Sequence, residues 1–137
     1  ISVSIAEHTN LLSSMWITFG QPCISPFLPF YIGINAIPDI VSTKANPVAQ
    51  VFERLRLALD YHPEYRPEIT HYCTVFEIQT IEEAEKLEAD IIILADDGKE
   101  MEARALLTEF VEKKCNETMS VGSKWLEFLQ NLPLTQK

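Results

Sequence analysis

Residues 19–33, FGQPCISPFLPFYIG, hold three prolines, four aromatic rings and no charge in fifteen positions. Proline fixes φ and brings no backbone donor, so Pro22, Pro26, Pro29 and the nearby Pro38 bar a helix or a central strand here. The expectation is an ordered, irregular loop over 21–40. Such a loop is too apolar to be a solvated linker and must lie against something.

What precedes the loop reads as strand. Ile1, Val3 and Ile5 alternate with Ser2, Ser4 and Ala6, and SSMWITFG, 13–20, is aromatic and β-branched and closes on glycine. Residues 8–12 would join the two strands. A lone hairpin is marginal in water unless it joins a larger sheet or packs on another surface. The sequence contains no further strands, so the chain is expected to be a fragment or one subunit of an oligomeric assembly.

The character changes at Asn46. Only Glu7, Asp39 and Lys44 are charged before it, a net of −1, which leaves −8 of the total −9 for 47–137. Three helices are expected there. Asn46 and Pro47 form an N-cap and first helical position, followed by a stripe of Val48, Val51, Phe52, Leu55, Ala58 and Leu59 that should stop before Pro63. A longer helix begins near Pro67, turns Ile69, Tyr72, Cys73, Phe76, Ala84, Leu87, Ile91 and Leu94 inward, and ends at Gly98. Asp97 would cap the third, with Ala103, Leu107, Phe110, Val111, Thr118, Trp125 and Leu129 on its inner side. Glu100–Arg104 and Glu109–Lys113 would pair outside, and Pro133 would end the helix. The organisation is α+β, with 1–46 as strands and apolar loop and 47–137 as helical cover, together one incomplete domain.

Charge and composition exclude several function classes. A net charge of −9 argues against nucleic acid, whose backbone demands clustered Lys and Arg. The longest aliphatic run, 91–95, falls far short of the roughly 20 residues of a membrane helix. Cys23, Cys73 and Cys115 match neither a disulfide framework nor zinc-ligand spacing, and read as reduced, mostly buried thiols of a cytoplasmic protein. The chain opens on Ile1 rather than Met, so the start of the gene product is expected upstream.

Chemistry-bearing residues are few. Cys23 has no histidine within ten positions and no charge in its loop to stabilise a thiolate, so its plain reading is a small buried hydrophobe rather than a nucleophile. His8, beside Glu7 and Thr9, is either a site residue or a turn histidine satisfied locally. His62 and His71 lack a carboxylate at ligand spacing, and no metal or cofactor is expected. Glu82, Glu83, Glu85, Glu88 and Asp90 lack the glycine-containing loop of a calcium site and read as the wet side of a helix.

At MWITFGQPCISPFLPFYIGINAIP, 15–38, the chain resembles the C-terminal region of the cysteine dipeptidases related to the secernins, among the N-terminal nucleophile hydrolases. Trp16, Gly20, Pro22, Ser25, Phe27, Pro29, Tyr31 and Gly33 stand in that family's pattern of a strand ending in Trp and Gly followed by an aromatic, proline-rich loop. VFERLRLALDYHPEY, FEIQTIEEAEKLEADIIILADDG and ARALLTEFVEKKCNETMSVGSKWLEFL resemble the helices that follow it. The resemblance implies the C-terminal portion of an α-β-β-α sandwich acting on small peptide amides, with His8, Thr9 and Cys23 as candidate pocket residues. It also implies a nucleophilic cysteine at a mature N-terminus whose own amine is the base. No cysteine of this chain occupies such a position, so that residue is expected from an upstream segment or a companion chain. The alternative is a non-enzymatic module that binds a partner through 1–46.

Overall fold

The structure, a computed structural model, describes residues 8–133. The expected first strand, on Ile1, Val3 and Ile5, lies outside them. In chain order the elements are α1 (Thr9–Leu12), β1 (Ser14–Ile17), β2 (Leu28–Tyr31), α2 (Asp39–Ser42), α3 (Pro47–Tyr61), a 3₁₀ turn (Pro63–Tyr65), α4 (Arg66–Asp96) and α5 (Glu100–Gln130). The class is α+β, dominated by helix.

Local chemistry sets the helix limits. Asn46 takes φ +39°, a left-handed conformation asparagine tolerates, and its side chain accepts from the Ala49 N–H at 3.1 Å. Gly98, at φ +76°, closes α4: Lys99 N–H donates to the Leu94 carbonyl at 2.8 Å and Gly98 N–H to Ala95 at 3.1 Å. That paired closure is a Schellman turn, and it corrects the expected role of Asp97. Asp97 is spent as the C-cap of α4, and α5 starts after Lys99 with no side-chain cap. Glu100 and Glu102 in its first turn complement the exposed N–H groups instead.

Helices α4 and α5 have 31 residues each, about 46 Å of rise, and fold back on one another as a hairpin. Helix α3 packs across α5. Ile69, Cys73, Phe76, Leu87 and Ile91 meet Ala103, Leu107, Val111 and Cys115 inside. Tyr72 is a correction: it is exposed at the rim, its ring 6.5 Å from that of half-buried Trp125. Glu100 and Arg104 pair as expected at 3.1 Å, whereas Lys113 lies 3.9 Å from Glu117 rather than beside Glu109.

The proline-rich segment is not wholly irregular. Within it, β2 pairs antiparallel with β1, setting Ser14 opposite Tyr31, Met15 opposite Phe30, Trp16 opposite Pro29 and Ile17 opposite Leu28. The Ile32 N–H donates to Ser13 O at 2.8 Å, and bonding alternates along an antiparallel pair. Pro29 therefore sits where its nitrogen points away from β1 and no ladder bond is lost. An edge position is where a strand accepts proline.

The same segment is fastened along the helix hairpin. Arg66 donates to Gln21 Oε1 (3.4 Å), Thr70 Oγ1 to the Cys23 carbonyl (2.8 Å), the Phe27 N–H to Glu77 (2.9 Å) and Tyr31 OH to Glu88 (3.2 Å). Arg104 then reaches the Gly33 carbonyl (3.3 Å), and Asn35 N–H donates to Thr108 Oγ1 (2.8 Å). Ile24, Leu28 and Tyr31 are consequently buried in the common core.

Candidate functional site

The sheet has two unlike faces. Side chains alternate along a strand, and opposed residues share a face. Tyr31 points at the helices, its ring 6.5 Å from that of Phe110 and its hydroxyl on Glu88, so Pro29, Trp16 and Ser14 lie on the helical side. Met15, Ile17 and Phe30 lie on the other. There they join Ile32, Ile34 and Ile37 around an open groove of about 460 Å³ whose lining carries no charged side chain. Met15 is 67% exposed and Ile32 64%. Helices thus cover Pro29 and Tyr31 on one face, while the other, although Leu28 opposite Ile17 is buried, leaves Met15 and Ile32 bare.

The two edges differ as well. By the same alternation, β2 turns the backbone of Pro29 and Tyr31 outward. Pro29 has no N–H, and the Tyr31 carbonyl accepts from Ile34 N–H at 3.3 Å, so this edge offers a neighbour only the Pro29 carbonyl and the Tyr31 N–H. β1 turns the N–H and C=O of Ser14 and Trp16 outward, and no other strand pairs with it among the described residues. Its sequence, SMWI, has none of the lysines or prolines that blunt exposed edges.

The sequence-derived pocket residues do not converge. His8 precedes α1, and its Nε2 lies 2.8 Å from Asp96 Oδ1 at the end of α4. Thr9 is exposed as the first residue of α1. Cys23 is held by its carbonyl on Thr70, near the start of α4. At 1.5 Å per residue, the anchors of His8 and Cys23 stand about 39 Å apart along that helix. Cys23 is moreover exposed rather than buried, because the turn from Gln21 to Ile24 gives the inward place to Ile24. Cys73 and Cys115 are buried, and desolvation, aided by Glu77 and Glu112 respectively, pushes each thiol up to about 12. Neither supplies a thiolate at neutral pH.

Sequence reasoning missed the polar layer inside the hairpin. Lys114, 2% exposed, places its ammonium 2.6 Å from Glu83 and 3.0 Å from Glu117, over the rings of Phe76 and Phe110. Its signal was present: position 114 continues the inward stripe of Leu107, Val111 and Thr118. Glu83 and Glu88, read as solvated, both turn to partners in the chain. Desolvation raises the Glu88 carboxyl above the usual range, with Glu85 adding to the rise and the Tyr31 hydrogen bond opposing it.

Among the described residues no three His, Cys, Asp or Glu side chains stand together as a metal site, and no helix is long and apolar enough to cross a membrane. Comparison with protein-family models, curated proteins and solved structures returned no match.

Proposed function

We propose that this chain is the C-terminal portion of a cysteine dipeptidase of the N-terminal nucleophile type, docking through its sheet onto an upstream segment or companion chain that carries the nucleophile. The observation that carries the reading is the sheet with helices on one face and a bare, uncharged groove on the other. In an α-β-β-α sandwich the second sheet packs about 10 Å away on such a face. The open edge of β1 accepts a neighbouring strand, and the proline-blunted edge of β2 disfavours one. In the complete enzyme an upstream thiolate attacks the amide carbon of a small peptide, backbone donors hold the oxyanion, and water releases the thioester. This portion contributes sheet edge, pocket wall and helical cover, with no catalytic residue of its own.

A second reading has its own support. The core draws on both the apolar segment and the helices, which suits a module that binds a partner chain through 1–46 without catalysis. Intact-mass measurement of the native gene product, followed by assay on dipeptides, separates the two. A larger or second polypeptide led by cysteine, with turnover, supports the enzyme. A partner complex without turnover supports the module, and a monomer with neither overturns both.

A further inference from the structure

At the far end of the molecule from the sheet groove, the last turns of α3 and α5 border a second open hollow of about 480 Å³, lined by Arg54, Leu57, Ala58, His62, Leu129 and Leu132 among others. Its size falls within the range of small-ligand sites, about 300–1,000 Å³. Its electrostatics are unusual for so acidic a chain. The lining has a guanidinium and no carboxylate. The nearby acids are engaged elsewhere: Glu53 is held by Arg56 at 2.6 Å, and Asp60 by Arg66 at 3.5 Å. Arg54 has neither hydrogen bond nor ion pair among the described residues.

His62 is the second, independent pointer. It is 5% exposed, yet its ring makes no hydrogen bond among the described residues, and its nearest acid, Glu64, stays 3.7 Å from Nδ1. An imidazole always has at least one N–H to give. The remaining wall is mostly aliphatic, Leu57, Ala58, Leu129 and Leu132, with Tyr61 and Gln130 completing it.

We propose that this hollow binds a small aliphatic carboxylate, its head between Arg54 and His62 and its tail along the leucines. The charge complementarity selects an anion. The aliphatic wall selects a chain rather than a free inorganic ion. Charge-assisted bonds from the guanidinium fix the head.

The test titrates the 137-residue chain with decanoate, 1-decanol and decyltrimethylammonium, followed by calorimetry and by amide NMR. Expected is saturable one-to-one binding of decanoate, with shifts centred on Leu57, Ala58 and Leu129, and decanol and the ammonium each about tenfold weaker or worse. Arg54→Met, at an exposed position, should keep the wild-type melt, weaken decanoate about fivefold or more and leave decanol unchanged. Decanol binding as tightly as decanoate overturns the proposal. So do shifts centred on Met15 and Ile32, an Arg54→Met variant that binds decanoate normally, or an absence of saturable binding.

Discussion

Phe52 and Gly122 touch where α3 crosses α5, so closely that a methyl group at position 122 would come within 2.9 Å of the ring and of a Val51 methyl. Gly122→Ala gains about 1 kcal/mol of helix propensity and loses more to overpacking, which costs about 1–3 kcal/mol. The expected net is a lower urea midpoint. Phe52→Leu in the same chain should relieve the ring's part of the clash, leaving that with Val51, and give a favourable coupling of about 1 kcal/mol in a double-mutant cycle; strict additivity would show that the crossing yields freely.

The Lys114 layer predicts an asymmetry. Removing the buried cation leaves Glu83 and Glu117 with side chains 41% and 37% exposed, so each carboxylate keeps partial access to water although the Glu83 Oε2 that meets Lys114 is buried. Removing a carboxylate weakens the hold on an ammonium that water cannot reach. Lys114→Met is therefore expected within about 1 kcal/mol of wild type, and Glu83→Gln to cost about 1.5–3 kcal/mol. Chemical denaturation of the two variants decides; the reverse ranking would contradict the burial argument.

Tyr31 and Glu88 predict a pH dependence. The folded Glu88 carboxyl is raised, chiefly by desolvation, so the folded state holds this proton more tightly than the unfolded chain. Its contribution to stability is fully present below the ordinary glutamate range and is lost as pH rises through the folded value. Glu88→Gln should accordingly be more stable than wild type at pH 7, with the difference vanishing near pH 4 as wild type protonates. Tyr31→Phe removes the bond that opposes the rise, so Glu88 should titrate higher still by carboxyl NMR, at a cost of about 1 kcal/mol in stability.

Thiol labelling should separate the cysteines sharply. Cys23 is exposed and Cys73 and Cys115 are buried with thiols near 12. A disulfide reagent at pH 8 should modify one thiol at once and the other two only on unfolding, since about one in ten thousand of the latter is ionised. Three thiols reacting together would mean that the hairpin opens readily.

Docking through the sheet predicts that Met15→Lys leaves the melt of this chain within about 0.5 kcal/mol of wild type, as for other exposed positions, while abolishing its association with the upstream partner. Pull-down and sedimentation read the effect. Undiminished association would place the contact elsewhere.

The three long helices were legible because each carries local punctuation: Asn46 with Pro47, Pro63 after α3, Gly98 after α4. The missed features depend on distant residues. Pro29 argues against a strand until the register shows its nitrogen facing outward, and only tertiary structure supplies the register. Asp97 has the composition of an N-cap, but the glycine beside it claims the position for the preceding helix. Lys114 and Glu83 look like surface charges until the hairpin brings them together from 31 positions apart. For the pocket candidates His8, Thr9 and Cys23, proximity along the sequence gave no measure of the helix length between their anchors.

The anchors that fasten residues 21–35 lie 45 to 73 positions further along the chain, and this dictates an order of events during synthesis. As the polypeptide leaves the ribosome, the aromatic, charge-free stretch 19–33 emerges before the helices that anchor it. The helical hairpin closes through a turn of three residues and assembles quickly once translated, in keeping with the speed of local contacts. Until then the early segment is sticky nascent chain, the state in which proteins of this kind are lost to aggregation. Slowed translation between positions 35 and 108 would prolong that exposure, so soluble yield should be most sensitive to codon choice across that interval.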